Sequence, residues 1–349
     1  MFVQTLAPEN LTPEELDDYL ESGWFRMGQN IFTTNFVHFH QHIYSTVWLR
    51  ILLNNFTADS TQTKVLKRNR VFRTEITLAT ITPEKEELYI RYKQSLPFQP
   101  SASVHQLLLG SIATQSIYNT YEVTVYDGDS LIAFGFFDIG ATSAMGISSV
   151  YDPAYKKYSL GKYLIYQKIE FCKKLKLQYF YPGYFVPGYS LFDYKLSIGG
   201  SSLEFLQLRS EQWHTIERFS SEDIPFDVMH NKLKDVQKQL AKLHLETNIL
   251  KYEYFDASLI PNLRGTEIFD FPLMLMCPSQ STDGINPILV YDVRDEHYHL
   301  KMCVPVWKPE SVDVDPNYYY DYILKEIQTV YATNMAEEIA EAFMKVLKL

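Results

Sequence analysis

The sequence lacks long hydrophobic runs, paired cysteines and an export signal. No stretch approaches the roughly 18 to 20 consecutive apolar residues of a membrane-spanning helix, so no membrane contact is expected. Cys172, Cys277 and Cys303 are far apart and form no CxxC pair, which argues against a disulfide framework and against a thiolate zinc site. The N-terminal segment has neither the basic start nor the apolar core of a signal peptide, so a cytoplasmic location is expected.

Positive charge is also in deficit, because 42 acidic residues against 32 basic ones give a net charge of −10. This balance excludes binding of nucleic acid over the whole surface, although a local basic patch can still hold a phosphate backbone. Aromatic residues, in contrast, are abundant, with 26 Tyr and 22 Phe among 349 residues. Such side chains suit pleated, half-buried surfaces, so strands and a sizeable core are expected.

Two helix starts are visible near the N-terminus. Thr12, Pro13 and Glu15 have the pattern of a capped helix start, and Gly23 is expected to end that helix. A second helix is predicted to begin near Ser60. Basic side chains without an acidic one are expected along it, namely Lys64, Lys67, Arg68, Arg70 and Arg73.

The centre of the sequence predicts a hairpin, a strand, a loop, a helix and a strand. Asp127-Gly128 separates two apolar runs and marks the hairpin turn. A short strand is expected at 146–151 after a loop at 140–145, then a helix from about Ser159 and a closing strand at 178–186. A helix N-terminus next to a strand offers unpaired N–H groups to an anion, so a ligand site is expected there.

The last third of the sequence has a different pattern. Apolar residues at helical spacing from Met229 to Leu243 predict an amphipathic helix that docks on its own domain or pairs with a partner chain. Docking is favoured because the repeat is shorter than the about 3 to 4 heptads of a coiled coil. Strands and turns are predicted over 268–308, and one or two helices from Pro316 to the end.

Several motifs in the first 205 residues occur together in one known family. "GISSVYDP", "SLGKY" and "QYFYPGYFVPGY" precede Tyr194-Lys195, while "GWFRMGQ" and "KRN" lie upstream. In this order they resemble arginyl-tRNA–protein transferases and their bacterial relatives, the aspartate/glutamate leucyltransferases. The resemblance covers roughly residues 20 to 75 and 120 to 205.

The resemblance implies an α+β fold with a GNAT-like mixed sheet flanked by helices. The domains are expected to be a small arginyltransferase-like α+β domain at 1–100, an acyltransferase domain at 101–225 and an α+β extension of unknown role at 226–349. The implied reaction moves Arg or Leu from aminoacyl-tRNA to the N-terminal amine of an acceptor protein, with no bound organic cofactor. The partners are therefore a charged tRNA and an acceptor protein N-terminus.

Four residues are the candidate catalytic groups that the resemblance implies. Asp138 is expected to accept a proton or hold the ammonium group of the acceptor, or else it is a carboxylate that ends a strand. Ser148, Ser149 and Tyr151 are expected to hydrogen-bond the reacting groups, or else to satisfy backbone groups at a strand end.

The candidate substrate-binding residues follow the same motifs. Trp24 and Arg26 are expected at the tRNA end, Gly161 at a close backbone approach, and Tyr194 and Lys195 at a phosphate or an acidic acceptor side chain. For each of these residues the alternative is a structural role, in the core, in local packing or at the solvated surface. The remaining candidates are a basic stretch for tRNA and the end of the aromatic strand, namely Lys64, Lys67, Arg68, Asn69, Gly183, Tyr184 and Gly188.

The sequence also departs from the family pattern. The family has a cysteine cluster after its Gly-Trp segment, whereas this chain has His38, His40 and His42. On one strand these histidines would share a face and reach a common metal, or they simply face solvent. Tyr189 stands where the relatives tend to carry a cysteine.

Two other functions remain open from the sequence. One is a divergent, non-catalytic module that binds a protein or peptide. The other is a GNAT acyltransferase that uses acyl-CoA, which is disfavoured because "KKYSLGKY" contains a single glycine of the expected pyrophosphate loop.

Overall fold

The computed structural model describes residues 1–40, 42–96, 100–110, 113–263, 266, 268–278, 284–309, 315 and 317–347. Its α-helices are α1 (Pro13–Glu21), α2 (Ser60–Arg68), α3 (Pro83–Lys93), α4 (Val104–Leu109), α5 (Leu160–Lys174), α6 (Leu196–Gly199), α7 (Pro225–Lys242) and α8 (Ala336–Leu347). The predicted starts of α1 and α2 are confirmed. Thr12 and Glu15 form a capping box at α1, and Asp59 and Gln62 form one at α2, so side chains satisfy backbone N–H groups that have no partner within the helix.

The strands of the described residues are numbered along the chain. They are β1 (Val3–Leu6), β2 (Phe25–Met27), β3 (Asn30–Thr34), β4 (Phe36–Phe39), β5 (His42–Ser45), β6 (Val47–Leu52), β7 (Arg73–Leu78), β8 (Thr120–Asp127), β9 (Ser130–Ile139), β10 (Ser143–Gly146), β11 (Val150–Tyr151), β12 (Tyr179–Phe185), β13 (Leu203–Gln207), β14 (Gln212–Thr215), β15 (Asn248–Tyr252), β16 (Leu273–Met276), β17 (Asn286–Asp292), β18 (His297–Trp307), β19 (Tyr319–Tyr320) and β20 (Ile323–Thr333).

These strands form two large sheets and two small ones. The central sheet has the order β14-β13-β6-β12-β10-β9-β8-β7, with β11 paired to β9 outside this path. Within it β10 and β12 run parallel, and the other neighbours are antiparallel. The second sheet has the order β19-β15-β16-β17-β18-β20, and the small sheets are β1-β3-β2 and β4-β5.

Helices cover both faces of the central sheet because side chains of β9 alternate between two cores. Phe137 and Ile139 pack in the core that α5 covers, whereas Phe134 and Phe136 pack in the core of α3 and α4. Nearly every residue of β9 is buried. The predicted α+β architecture, with a mixed sheet flanked by helices, is therefore confirmed.

The second sheet forms the core of the C-terminal part of the chain. Helices α7 and α8 pack against it. The apolar residues of α7 from Met229 to Leu240 are buried, whereas Leu243 beyond the helix end is exposed, so α7 docks on its own chain as predicted. Phe2 and Phe36, from the N-terminal part, lie in the same core. Strands β6 and β7, which precede residue 100, belong to the central sheet. The division into domains at residues 100 and 225 stays a prediction.

Two expectations about secondary structure are wrong. Residues 323–333 form β20 rather than a helix, because pairing along β18 outweighs a locally helical pattern. The strand expected at 146–151 is replaced by β10, which lies largely in the predicted loop, and by the two-residue β11. The hairpin at Asp127-Gly128 is confirmed. No helix in the described part of the chain is long and apolar enough to cross a lipid bilayer.

Candidate active site

The central sheet opens between its two parallel strands. β10 and β12 pair from Ser143–Tyr179 to Met145–Tyr181, and the ladder then stops. Pro182 follows Tyr181 and has no N–H to donate to a neighbouring strand, so it ends the pairing. Beyond it β12 resumes pairing with β6 on its other side, at Gly183. The result is a gap between β10 and β12 inside the sheet.

Two cavities fill this gap. The small cavity, of about 290 Å³, is lined by aromatic and polar side chains that include Tyr89, Tyr92, Phe180, Tyr194, Ser148, Ser149 and Lys168. The large cavity, of about 660 Å³, is lined by Phe25, Arg26, Trp48, Tyr184 and Phe192 among others. Leu107, Gly146, Ile147, Pro182 and Lys195 line both. Among the residues that the structure describes, no Asp or Glu lines either cavity.

Lys195 lies where the two cavities meet. It ends a 3-10 helix over Ser190–Lys195, and its Nζ donates a hydrogen bond of 2.7 Å to the carbonyl oxygen of Tyr184. The rings of Tyr184 and Phe192 lie 5.4 and 5.3 Å from this nitrogen. Burial lowers the pKa of Lys195 to about 7, because the charged form loses its hydration. The amine therefore exchanges a proton near neutral pH.

Lys168 is a second buried amine in the small cavity. It lies on α5, is 1% exposed, and donates to the carbonyl oxygens of Phe136 (2.9 Å) and Ser148 (2.5 Å). Burial lowers the pKa of Lys168 to about 7 as well. Sequence reasoning missed it, although a signal exists. Lys168 follows Ile165 by three residues and precedes Cys172 by four, on the apolar face of α5.

The candidate hydroxyl groups fall into two places. Ser148 and Ser149 line the small cavity, and the hydroxyl of Ser148 is buried without a hydrogen-bond partner among the described residues. A buried hydroxyl without a partner is costly, so the hydroxyl of Ser148 is free to pair with a polar group that enters the small cavity. Tyr151 lies outside both cavities. Its ring packs against Tyr92, at 5.2 Å between centroids, and close to Gly161.

Asp138 is not available as a free base, contrary to expectation. It is completely buried, and both of its carboxylate oxygens accept from a guanidinium nitrogen of Arg26, at 2.8 and 3.0 Å. The hydroxyl of Thr120 donates to it at 2.6 Å. Arg26 also donates to the carbonyl oxygens of Gly28 (2.7 Å) and Leu108. This pair joins β2 to β9, so Arg26 is committed to the fold rather than to tRNA.

Trp24 lines neither of the two cavities in the gap between β10 and β12. Its ring packs against Tyr19, 5.7 Å between centroids, and it lines a separate cavity that includes Glu21 and Trp48. Trp24 is half-buried there. The expectation that Trp24 contacts the tRNA end is thus not supported by its position.

The predicted basic stretch is exposed but is not one helix. Lys64, Lys67 and Arg68 lie on α2 and are exposed, whereas Arg70 belongs to a 3-10 helix over Asn69–Val71 and Arg73 begins β7. The expectation that a single helix carries all five is wrong.

Two residues at the end of α2 contact the segment before α5, and one of these contacts adds a further exposed lysine to the basic surface. Asn69 is buried, where its side chain donates to the carbonyl oxygens of Val65 and Tyr158, so Asn69 is a structural residue. Arg68 donates to the carbonyl oxygen of Lys157 at 2.8 Å, which places the exposed Lys157 next to α2.

The aromatic strand ends at the gap, as the sequence predicts. Tyr184 is half-buried against Trp48, and Tyr194 lines the small cavity. Gly183 has a φ of +85°, which favours glycine, and a Cβ built on it would lie 3.1 Å from Nζ of Lys195 and crowd that amine. Gly188 lies in the exposed turn after β12, outside both cavities.

The three histidines do not share one strand face. The chain turns at His40, which has a φ of +48°, between β4 and β5. His42 pairs with Phe39, the neighbour of His38, so His38 and His42 point to opposite faces of the hairpin. His38 instead lies 3.3 Å from the carboxylate of Glu253.

The β4-β5 hairpin packs against an aromatic side chain, and the side chains that could hold a metal ion lie elsewhere in the described residues. Tyr189 stacks on Phe39 of the hairpin at 5.0 Å between centroids. Among the described residues, the group of side chains with ligand atoms close enough to hold a metal ion is Asp292, Asp295 and His299, where Arg294 already pairs with Asp292. The histidine metal site is therefore wrong.

Known proteins match this region of the chain. The sequence model described as "Arginine-tRNA-protein transferase, C terminus" matches residues 84–204, which contain β10, β12 and both lysines. A solved tandem GNAT protein from the clavulanic acid biosynthesis pathway covers 56% of this chain and 58% of its own, at 12% identity and a TM-score of 0.31.

Curated relatives extend the match. The aspartate/glutamate leucyltransferase of Leptospira interrogans is 32% identical over 192 residues, which are 54% of this chain and 73% of that protein. The protein of the same name from Helicobacter hepaticus is 27% identical over 54% of this chain and 78% of its own. Residues 205–349 lie beyond the matched family model. The chain belongs to the family of arginine-tRNA-protein transferases and aspartate/glutamate leucyltransferases.

Proposed function

We propose that the chain transfers an amino acid, Arg or Leu, from aminoacyl-tRNA to the N-terminal amine of an acceptor protein. The observation that carries this proposal is the pair of cavities that meet at Lys195, in the gap between β10 and β12. A two-substrate reaction needs both reactants held against each other, and two joined cavities supply such an arrangement. The gap lies within the part of the chain that matches the family.

The exposed basic surface next to α5 supports binding of the donor. Lys64, Lys67 and Arg68 on α2 lie beside Lys157, with the Arg68 contact joining the two segments. Phosphate contacts need cations in a line rather than a particular sequence, so this surface suits the tRNA backbone. A local basic surface also reconciles tRNA binding with the net charge of −10.

The small cavity suits the acceptor's first residue. Its lining contains the amines of Lys168 and Lys195 and no carboxylate among the described residues. A carboxylate entering this cavity would supply a counter-charge for the buried amine of Lys168. The relatives are named for aspartate and glutamate, and an acidic first residue is the acceptor that this lining favours.

The reaction forms an amide bond from an ester. The neutral acceptor amine attacks the ester carbonyl carbon, the C–N bond forms, and the C–O bond to the ribose breaks. Negative charge develops on the carbonyl oxygen in between, and a donor held in place lowers the barrier. The unpartnered hydroxyl of Ser148 is our candidate for that donor.

The acyl-CoA alternative is less favoured by the packing at the start of α5. A helix N-terminus must be open for a pyrophosphate to approach its N–H groups. In this chain the ring of Tyr151 covers Gly161, and a Cβ on that glycine would lie 3.4 Å from the ring. The predicted cytoplasmic location remains a prediction.

The test is transfer of a labelled amino acid. Purified protein is incubated with arginyl-tRNA or leucyl-tRNA and with peptides that begin with Asp, Glu, Cys or Ala. We expect transfer to the acidic peptides and little to the Ala peptide, and loss of transfer when the peptide N-terminus is acetylated. An active relative run in parallel serves as the control. No transfer in any pairing, while the control is active, would reject the proposal.

A further inference from the structure

The attacking amine must lose a proton before it can react, and the gap contains few groups that can accept one. An α-ammonium group has a pKa of roughly 8, so most acceptor N-termini are protonated at neutral pH. Asp138, the carboxylate expected for this step, is buried and accepts hydrogen bonds from Arg26 and Thr120. The proton acceptor therefore has to come from the residues that line the cavities.

The titratable and charged groups that line a cavity together with Lys195 come from five elements. They are Tyr89 and Tyr92 of α3, Lys168 of α5, Tyr184 of β12, Tyr194 of the 3-10 helix and Arg26 of β2. Burial raises the pKa of all four tyrosines, so these phenols stay protonated near neutral pH. A guanidinium does not deprotonate in proteins. Two lysine amines remain.

Position separates the two amines. Lys168 is 1% exposed, and its amine already donates hydrogen bonds to two carbonyl oxygens. Lys195 is half-buried, lines both cavities, and donates to a single carbonyl, that of Tyr184. A neutral amine has two N–H groups and one lone pair, so Lys195 keeps its lone pair free at the junction where donor and acceptor meet.

We propose that Lys195 is the general base that removes a proton from the acceptor's N-terminal ammonium group, a role that rests on the proposed function. The neutral amine of Lys195 takes one proton and becomes an ammonium, and the acceptor amine becomes neutral. That amine attacks the ester carbonyl carbon, and its second proton leaves with the ribose oxygen as a hydroxyl. Lys195 then releases its proton to solvent.

The surroundings of Lys195 suit both of its charge states. Burial favours the neutral amine and lowers the pKa of Lys195 to about 7. Once protonated, the ammonium faces the rings of Tyr184 and Phe192 at 5.4 and 5.3 Å and keeps its bond to the carbonyl of Tyr184. A base with a pKa near the working pH is the efficient choice for this kind of catalysis.

The decisive variant is Lys195→Arg. Arginine keeps the positive charge but cannot accept a proton, so a residue that only contacts phosphate or carboxylate would retain most of its function. We expect kcat/KM to fall by about 100-fold or more, with the KM for the charged tRNA little changed. The wild-type pH profile should rise through about pH 7, following the pKa of Lys195. In the variant the rise should move to about pH 8, where the acceptor amine loses its proton without help. Lys174→Arg, an exposed position at the end of α5, is the matched control.

Two further measurements do not depend on how well that variant folds. Small primary amines added to Lys195→Ala should restore part of the activity, more so for amines with a higher pKa. Trace acetylation followed by mass spectrometry should give a half-reactive pH near 7 for Lys195 in the wild type, against about 10.4 for lysine in a short reference peptide.

The outcomes separate this inference from the proposed function. Transfer by the wild type together with a fully active Lys195→Arg variant would overturn the role of Lys195 and leave the function standing. An acetylation midpoint of Lys195 equal to that of lysine in the reference peptide would also overturn it. No transfer by the wild type would overturn both.

Discussion

Replacing Lys168 by methionine should make the protein's stability less dependent on pH. Lys168 is 1% exposed, and its pKa falls from 10.5 to about 7 on burial. The unfolded chain therefore holds a proton between pH 7 and 10.5 that the folded chain has lost. Folded-state stability rises with pH in that window, because the unfolded state binds more protons there.

The size of the effect follows from the shift. Each pH unit within the window adds about 1.4 kcal/mol to the free energy of unfolding per such group. Because Lys168 is about half protonated at pH 7, its contribution between pH 7 and pH 9 is about 2 kcal/mol. Methionine has a similar length and no charge, so the variant should lack this contribution. Its loss of two hydrogen bonds to carbonyl oxygens is a constant offset at both pH values.

The assay is urea unfolding of the wild type and Lys168→Met at pH 7 and pH 9. We expect the wild type to gain about 2 kcal/mol more than the variant over that interval. Subtracting the two proteins cancels the other titrating groups, including Lys195. Lys174→Met, at an exposed position of the same helix, should follow the wild type. Equal gains for the wild type and Lys168→Met would refute the reasoning, since Lys168 would then titrate like an exposed lysine.

Three other substitutions test the remaining structural arguments. Asp138→Asn should lower the free energy of unfolding by about 3 to 5 kcal/mol, because it leaves the buried guanidinium of Arg26 without its counter-charge; thermal unfolding measures this. Gly183→Ala should cost about 1 to 3 kcal/mol and reduce transfer, because φ is +85° and the new methyl group meets the base. Replacing Lys64 and Lys67 by alanine should weaken tRNA binding and reduce its salt-dependence slope by about one to two, as filter binding at several salt concentrations can show.

Each of these has an outcome that would contradict it. An unchanged melting temperature for Asp138→Asn would mean that the pair with Arg26 does not hold β2 to β9. Wild-type stability and transfer in Gly183→Ala would mean that the backbone there can relax. An unaltered salt slope after the two lysine replacements would place the tRNA on another surface.

Local signals in the sequence were sufficient for much of the fold. The capping box at Thr12 and the turn at Asp127-Gly128 involve residues three or fewer positions apart, so their pattern is independent of the remaining chain. The apolar spacing of α7 similarly predicts one buried face. Motif order was sufficient for the family, and it pointed to the aromatic strand that borders both cavities.

The features that could not be predicted from the sequence depend on how the chain turns and on contacts between residues far apart in it. β20 was expected to be helical, and its long ladder with β18 is a contact that no local pattern announces. The histidines were expected on one strand, but the turn at His40 divides them. Asp138 looks like a free carboxylate at a strand end because its partner, Arg26, lies 112 residues away.

The sequence by itself determined the family, the main local elements and the strand that carries the site. The tertiary structure decided which groups do chemistry there. Lys168 is an ordinary lysine in the sequence, and Lys195 appears there only as a candidate contact to a phosphate or a carboxylate. Both acquire a pKa near 7 because burial by distant strands and helices disfavours their charged form. The same packing closes off Asp138, so the proton acceptor that the sequence suggested and the one that the fold supplies are different residues.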